Sequence, residues 1–187
     1  MESIDVLMAE HRLIERVLDA TESAAGRLER GATVRAGFFE EVVEFLIGFA
    51  DGCHHHKEED VLFPAMVRAG LPRDEGPIAV MLAEHEQGRA LVRAIGEGAA
   101  ALGSGDSAAA GGLVAAVRGY VALLRAHIQK EDQILFPMAA QLLSAEAEHS
   151  LIQGFDRVER EDVAPGGHTR LHDLAAALVR EGEAVAQ

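Results

Sequence analysis

Cysteine is all but missing from this chain of 187 residues, where Cys53 stands alone. One thiol excludes an intramolecular disulfide, and a reducing compartment is its simplest setting. Basic residues are also few, 17 Lys and Arg against 31 Asp and Glu, for a net charge of −14. Binding nucleic acid or an anionic membrane needs clustered Lys and Arg, so this balance argues against both. No uncharged apolar stretch reaches the roughly 18 to 20 residues that a membrane-spanning helix needs. The opening MESIDVLMAEH starts with acids instead of the basic and then apolar run of a signal peptide. The expectation is a soluble cytoplasmic protein.

Aromatic residues make up 4% of the chain and no segment alternates with a period of two, whereas 49% of residues are apolar. This suits a helical bundle. Glycine and proline then divide the chain. A first helix is predicted from about Ser3, a plausible N-cap, to Gly31, and a second from near Thr33 to Pro64 or slightly beyond. A loop at 70–77 leads into a third helix ending near Leu102. The turn at 103–112 precedes a fourth helix, which ends near Leu143. Two shorter helices, about 145–162 and 168–182, are separated by APGG. The expected fold class is all-α: an up-down-up-down four-helix bundle over 1–143. A helical extension, 144–187, would pack on the bundle or on a partner subunit, as in a homodimer.

The second helical pair repeats the first. LMAEHRLIERVL from Leu7 resembles MLAEHEQGRALV from Met81, so that Glu10-His11 falls on Glu84-His85 at an offset of 74. HHHKEEDVLFPAM from His54 resembles HIQKEDQILFPMA from His127 at an offset of 73. Positions that both hairpins need should recur. His54 recurs as His127, Lys57 as Lys130, Glu58 as Glu131, and Leu62-Phe63-Pro64 as Leu135-Phe136-Pro137, whereas His55 and His56 face Ile128 and Gln129. Helix geometry selects the same pairs: at about 100° per residue, position i+4 returns to the face of i and i+5 does not. His54 thus shares a face with Glu58 and His127 with Glu131. His and Glu at i and i+4 can reach one metal ion. Two such pairs, with one histidine from each remaining helix, supply four nitrogens and two carboxylates, enough for two metals. Bridging carboxylates with imidazole caps suit iron or manganese, while a closed zinc site more often recruits thiolates or a tetrahedral set.

The order H, H-x-x-x-E, H, H-x-x-x-E, with LFP closing each H-x-x-x-E segment, resembles the hemerythrin-like or HHE cation-binding family, four-helix bundles around a non-haem di-iron centre. The resemblance covers about residues 1–143. It implies His11, His54, His85 and His127 as iron ligands, with Glu58 and Glu131 as bridging carboxylates of two oxo- or hydroxo-bridged iron ions. Manganese and zinc accept the same donors. Oxygen-carrying hemerythrins have a second histidine four residues after the one on the third helix, and here that position is Arg89, with Glu15 as its repeat partner. One nitrogen fewer implies a more symmetric and more open site, unless Glu15 enters as a ligand; otherwise Glu15 and Arg89 pair with each other.

Other residues carry two readings each. His55, His56 and Glu59 are surface groups or hold a ligand's tautomer by a hydrogen bond. Tyr120 is a core tyrosine or a phenol reaching a metal-bound species. Cys53 is read as a small buried side chain, and His149, His168 and His172 as surface residues of the extension. The function implied is a di-iron protein that binds or reduces dioxygen, peroxide or nitric oxide. The alternatives are a non-enzymatic iron, oxygen or redox sensor signalling through the C-terminal helices, and a plain structural or storage bundle.

Overall fold

The computed structural model describes residues 1–35, 37–161 and 167–184, and among them helix is the regular secondary structure, with no strand. We number six helices. α1 is Glu2–Glu29. α2 covers residues 38–68, its α-helical ends Phe38–Phe45 and Phe63–Arg68 separated by two π-helical stretches, Leu46–His55 and Lys57–Leu62. α3 is Gly76–Gly103. α4 is Ala109–Leu142, with π-helical turns at Glu131–Leu135. α5 is Ala145–Glu161 and α6 is Gly167–Ala184. The first four form the four-helix bundle and the last two are additional.

Boundaries differ from the sequence reading for local reasons. Ser3 is not an N-cap: α1 starts before it, and its N–H and hydroxyl both donate to the Glu148 carboxylate of α5, at 2.9 and 2.6 Å. α2 begins at Phe38 and not near Thr33, because Gly37 takes a left-handed conformation, φ 84°, which glycine alone adopts freely. α4 begins four residues earlier than the glycine run suggested, with Asp106 accepting from the N–H of Ala108 at 3.0 Å. Most of the APGG separator, residues 164–166, lies outside the described residues. The π-helical turns had no counterpart in the sequence reading. Each gives way to α-helix at the LFP motif, where Pro64 and Pro137 occupy the first turn and lack the N–H that would continue the ladder.

The core is split in two. One apolar cluster holds Ile14, Leu18, Phe45, Phe49, Ile95, Val117 and Leu124; the other holds Leu7, Leu62, Phe63, Met81, Leu135 and Phe136. Between them runs a polar layer. His11 lies between Leu7 and Ile14 along α1, and His54, His85 and His127 occupy the same level on their helices, all buried. α4 is long and apolar enough by composition to span a membrane, yet its Val117, Val121 and Leu124 belong to the first cluster and its middle carries this polar layer.

α5 and α6 extend the two clusters. Leu171, Ala175, Leu178 and Val179 of α6 join the first, Leu151 and Phe155 of α5 the second. Gly154 lets α5 approach α2 closely: a Cβ there would stand 2.5 Å from Val61 Cγ1 and 3.1 Å from Cγ2. Gly154→Ala gains helix propensity of up to about 1 kcal/mol, but overpacking costs about 1–3 kcal/mol, and Val61 is β-branched and stiff. The variant should therefore melt lower than wild type, and adding Val61→Ala should recover most of the loss in a thermal denaturation series.

Candidate metal centre

Four histidines and two glutamates meet in the polar layer. The imidazole Nε2 of His54 approaches Glu58 Oε1 at 3.6 Å, and that of His85 approaches Oε2 at 3.4 Å. His11 Nε2 lies 3.2 Å from Glu131 Oε2, and His127 Nε2 lies 3.2 Å from Oε1. Each carboxylate thus turns one oxygen toward the His11/His54 side and the other toward the His85/His127 side. The donor atoms of His11, His54, Glu58 and Glu131 lie within 4.8 Å of one another, and so do those of Glu58, His85, His127 and Glu131. All six residues singled out by the repeat are brought together, and either set could hold a metal ion.

Orientation comes from a second ring of acids. Nδ1 of His11 donates to Asp132 at 2.7 Å, of His54 to Glu10 at 2.9 Å, of His85 to Glu59 at 2.6 Å and of His127 to Glu84 at 2.9 Å. An ionised carboxylate only accepts, so each Nδ1 carries a proton and each Nε2 faces the centre, the orientation that metal-binding histidines use. Lys57 and Lys130 each donate to the other oxygen of Glu10 and Glu84. The phenyl rings of the two LFP motifs complete the symmetry: Phe136 stacks on His11 at 5.4 Å and Phe63 on His85 at 6.1 Å. Glu59 is thereby settled as an orienting group. Glu10, Glu84 and Asp132 were not assigned a role from sequence, although the recurring Glu-His pair and the acid following Glu58 and Glu131 carried the signal.

The centre leaves charge uncompensated. Glu58 and Glu131 are wholly buried, and none of their four oxygens, nor His11 Nε2, has a hydrogen-bond partner. Such burial is costly without a cation. Burial and the neighbouring Glu131 push the Glu58 carboxyl well up. Glu131 is held well below the ordinary range because His127 and His11 outweigh its own burial. His11 rises to about 9, since Asp132 and Glu131 overcome the cost of burying its charge, while burial and His11 lower His54 to about 4. Burial thus favours a proton on Glu58, and the neighbouring acids favour one on His11. Cations replacing those protons would satisfy every orphaned oxygen, so the residues present fit metal ions.

The other candidates divide: Tyr120 and Cys53 are buried as expected, while the rest depart from the sequence reading. Glu15 pairs with Arg12 at 3.0 Å and does not enter the centre. Arg89 does not meet Glu15: it binds Asp51 at 2.7 Å and Glu59 at 2.8 Å, bracing the acid that orients His85. His55 is not a surface group. It is buried, donates from Nδ1 to Asp51 at 3.1 Å and stacks on His85 with ring centroids 3.9 Å apart. Burial and His85 hold it well below the ordinary histidine range. Tyr120 is buried and lines a cavity of about 180 Å³ with His55, Asp51 and Arg89. Cys53 is fully buried, its thiol pushed up to about 12 by that burial. His168 is half-buried rather than on the surface; it and His172 lie against Phe49 at 5.9 and 5.2 Å.

A bundle whose buried layer joins four imidazoles, two orphaned carboxylates and a ring of orienting acids defines a metal-binding four-helix protein. The family model for the hemerythrin HHE cation-binding domain matches residues 2–139, and the chain belongs to that family. It is 24% identical over 172 residues to uncharacterized proteins of Mycobacterium tuberculosis (Rv1995) and Mycobacterium bovis (Mb2018), covering 92% of this chain and 67% of theirs. No solved structure gives a significant match. Membership implies binding of metal ions.

The Glu58→Gln variant separates a metal role from a structural one. The metal-free Glu58 carboxyl is kept protonated, so its amide should leave the metal-free melting point within the equivalent of about 1 kcal/mol. Metal affinity should fall by more than the roughly 10- to 100-fold typical of losing an outer-shell partner. A large loss of metal-free stability with intact uptake would make the residue structural.

Proposed function

We propose that the centre holds two non-haem iron ions and that the protein binds or reduces a small oxidant, dioxygen, peroxide or nitric oxide. The observation that carries this reading is the pair of orphaned carboxylates, each with one oxygen facing each histidine pair. A single ion would satisfy one side only. Four nitrogens and four carboxylate oxygens suit iron or manganese better than a closed tetrahedral zinc site. Bound iron would supply the electrons and the coordination positions for the oxidant.

The protein's own groups set the conditions. Asp132, Glu10, Glu59 and Glu84 hold the imidazole tautomers, and Lys57 and Lys130 keep Glu10 and Glu84 ionised. The apolar clusters above and below exclude bulk water from the layer. Arg89 and the Tyr120 phenol line the cavity beside it and offer donors to a small polar ligand.

The reading is tested by loading metal-free protein with ferrous iron under nitrogen, then recording the spectrum in air and after peroxide or nitric oxide. Two irons per chain and near-ultraviolet absorption that responds to those ligands are expected. Zinc retention with no iron uptake would remove it. Uptake must also displace the His11 proton. Since that group is raised to about 9, affinity should rise with pH across the neutral range, by up to about tenfold per unit for each proton released, and level off above about 9.

A second reading, a metal sensor, draws on one contact. Lys57, fully buried, joins Glu10 to Glu159 of α5, at 2.6 Å to the latter, whereas Lys130 has no such third partner among the described residues. The His54 side is thereby wired to the C-terminal extension. Hydrogen exchange in α5 that slows markedly on metal binding, with no turnover of peroxide or nitric oxide, would favour it; unchanged exchange would discard it.

A further inference from the structure

A second group of donors lies outside the inner centre, where the extension meets the bundle. Ligand atoms of Glu10 on α1, Cys53 on α2, Glu159 on α5 and His168 on α6 all lie within 4.8 Å of one another. Four helices therefore converge on one point, and two of them lie beyond residues 2–139, the span of the HHE domain. Glu10 and Cys53 are buried there, and so is Lys57, whose ammonium donates to one oxygen of Glu10 and one of Glu159. The Phe155 ring lies beside that ammonium and the Phe49 ring beside His168.

The hydrogen bonds of this group do not use all of its donors. Glu10 has both oxygens engaged, by Lys57 and by His54. Glu159 accepts from Lys57 at Oε1 alone, which leaves Oε2. Nε2 of His168 is closed off from solvent and has no hydrogen-bond partner. Two carboxylates and one ammonium also leave a negative charge over, in a place where uncompensated charge is costly. A thiol that gives up its proton to a divalent ion adds one negative and two positive charges, so the group becomes neutral with Lys57 still in place.

We propose that Cys53, His168 and Glu159 form a separate site for a thiophilic divalent ion, zinc above all, that pins the C-terminal extension to the bundle. Thiolate, imidazole and carboxylate together suit zinc, whereas the inner centre has no sulfur. Bonds of about 2.3 Å to sulfur and about 2.0–2.2 Å to nitrogen and oxygen put tetrahedral ligands roughly 3.3–3.6 Å apart. Since 4.8 Å is the upper bound on the present spacing, rotation of His168 and Glu159, both half-buried, closes the set, and water takes the fourth position. Burial keeps the Cys53 thiol protonated, so without metal it is a poor nucleophile, but a coordinating thiol is deprotonated outright. An ion held only by this arrangement of four helices stabilises the docked extension.

Cobalt(II) is the probe, because its bond to sulfur gives a charge-transfer band in the near ultraviolet and Cys53 is the sole thiol. The band reports this site whatever the inner centre binds. The metal-free full chain should develop it to saturation at one cobalt per chain, zinc should displace it, and Cys53→Ser should abolish it. His168→Ala and Glu159→Gln keep the thiol and should bind cobalt at least about tenfold more weakly by the same band. His149→Ala, on α5 but outside the donor set, should titrate as wild type. Absence of the band in wild type overturns the proposal. So does an undiminished band in His168→Ala, which would mean that the thiol takes cobalt alone, or equal weakening in His149→Ala. The iron-loading test above stands or falls separately, since Cys53→Ser leaves all six inner residues in place.

Discussion

Two carboxylates buried without a single hydrogen-bond donor are the constraint on which the rest of this protein is built. Burying one ionised carboxylate costs several kcal/mol, and two side by side repel. Helix packing alone would expel them. Here the surroundings are arranged to keep them in place: imidazoles at 3.2–3.6 Å, outer acids that hold those imidazoles, and lysines and arginines that hold the outer acids. Outward from the centre run carboxylate, imidazole, carboxylate, and then ammonium or guanidinium. Each shell is favourable only because the next exists, and the innermost is completed by cations.

The duplicated design explains why so much is shared between halves and why the differences are informative. Glu10 and Glu84, Lys57 and Lys130, Phe63 and Phe136 perform equivalent tasks on opposite sides. Where the copies diverge, the cause is a neighbour. Lys57 is sealed beneath α5 by Glu159 and Phe155, while Lys130 remains partly open to solvent. Asp51, His55 and Arg89 form a group on one side that has no equivalent on the other. The extension and this group together convert a symmetric hairpin pair into a molecule with two distinct faces.

The helical architecture was legible because glycine and proline stand at the turns and the hairpin repeat fixed the register of both pairs. The six inner residues were legible for the same reason, since a repeat filters incidental histidines from required ones. That same filter hid His55. A residue present in one copy only is discarded by an argument from recurrence. Glu10, Glu84 and Asp132 recur and could have been read as orienting acids from the pattern alone. The pairing of Arg89 with Asp51 could not, because 38 residues separate them and nothing local marks the contact. The π turns leave no compositional trace: the geometry comes from tertiary packing around the buried acids.

His11 on α1 is oriented by Asp132 on α4, 121 residues later. Synthesis at roughly 5–20 residues per second separates the emergence of the two by several seconds to tens of seconds. During that interval the first hairpin carries His11, His54 and Glu58 without Glu131 or the acid that fixes the His11 ring. At that stage the nascent chain carries three of the six inner residues. The complete donor set is therefore a property of the finished bundle, since α4 supplies His127 and Glu131.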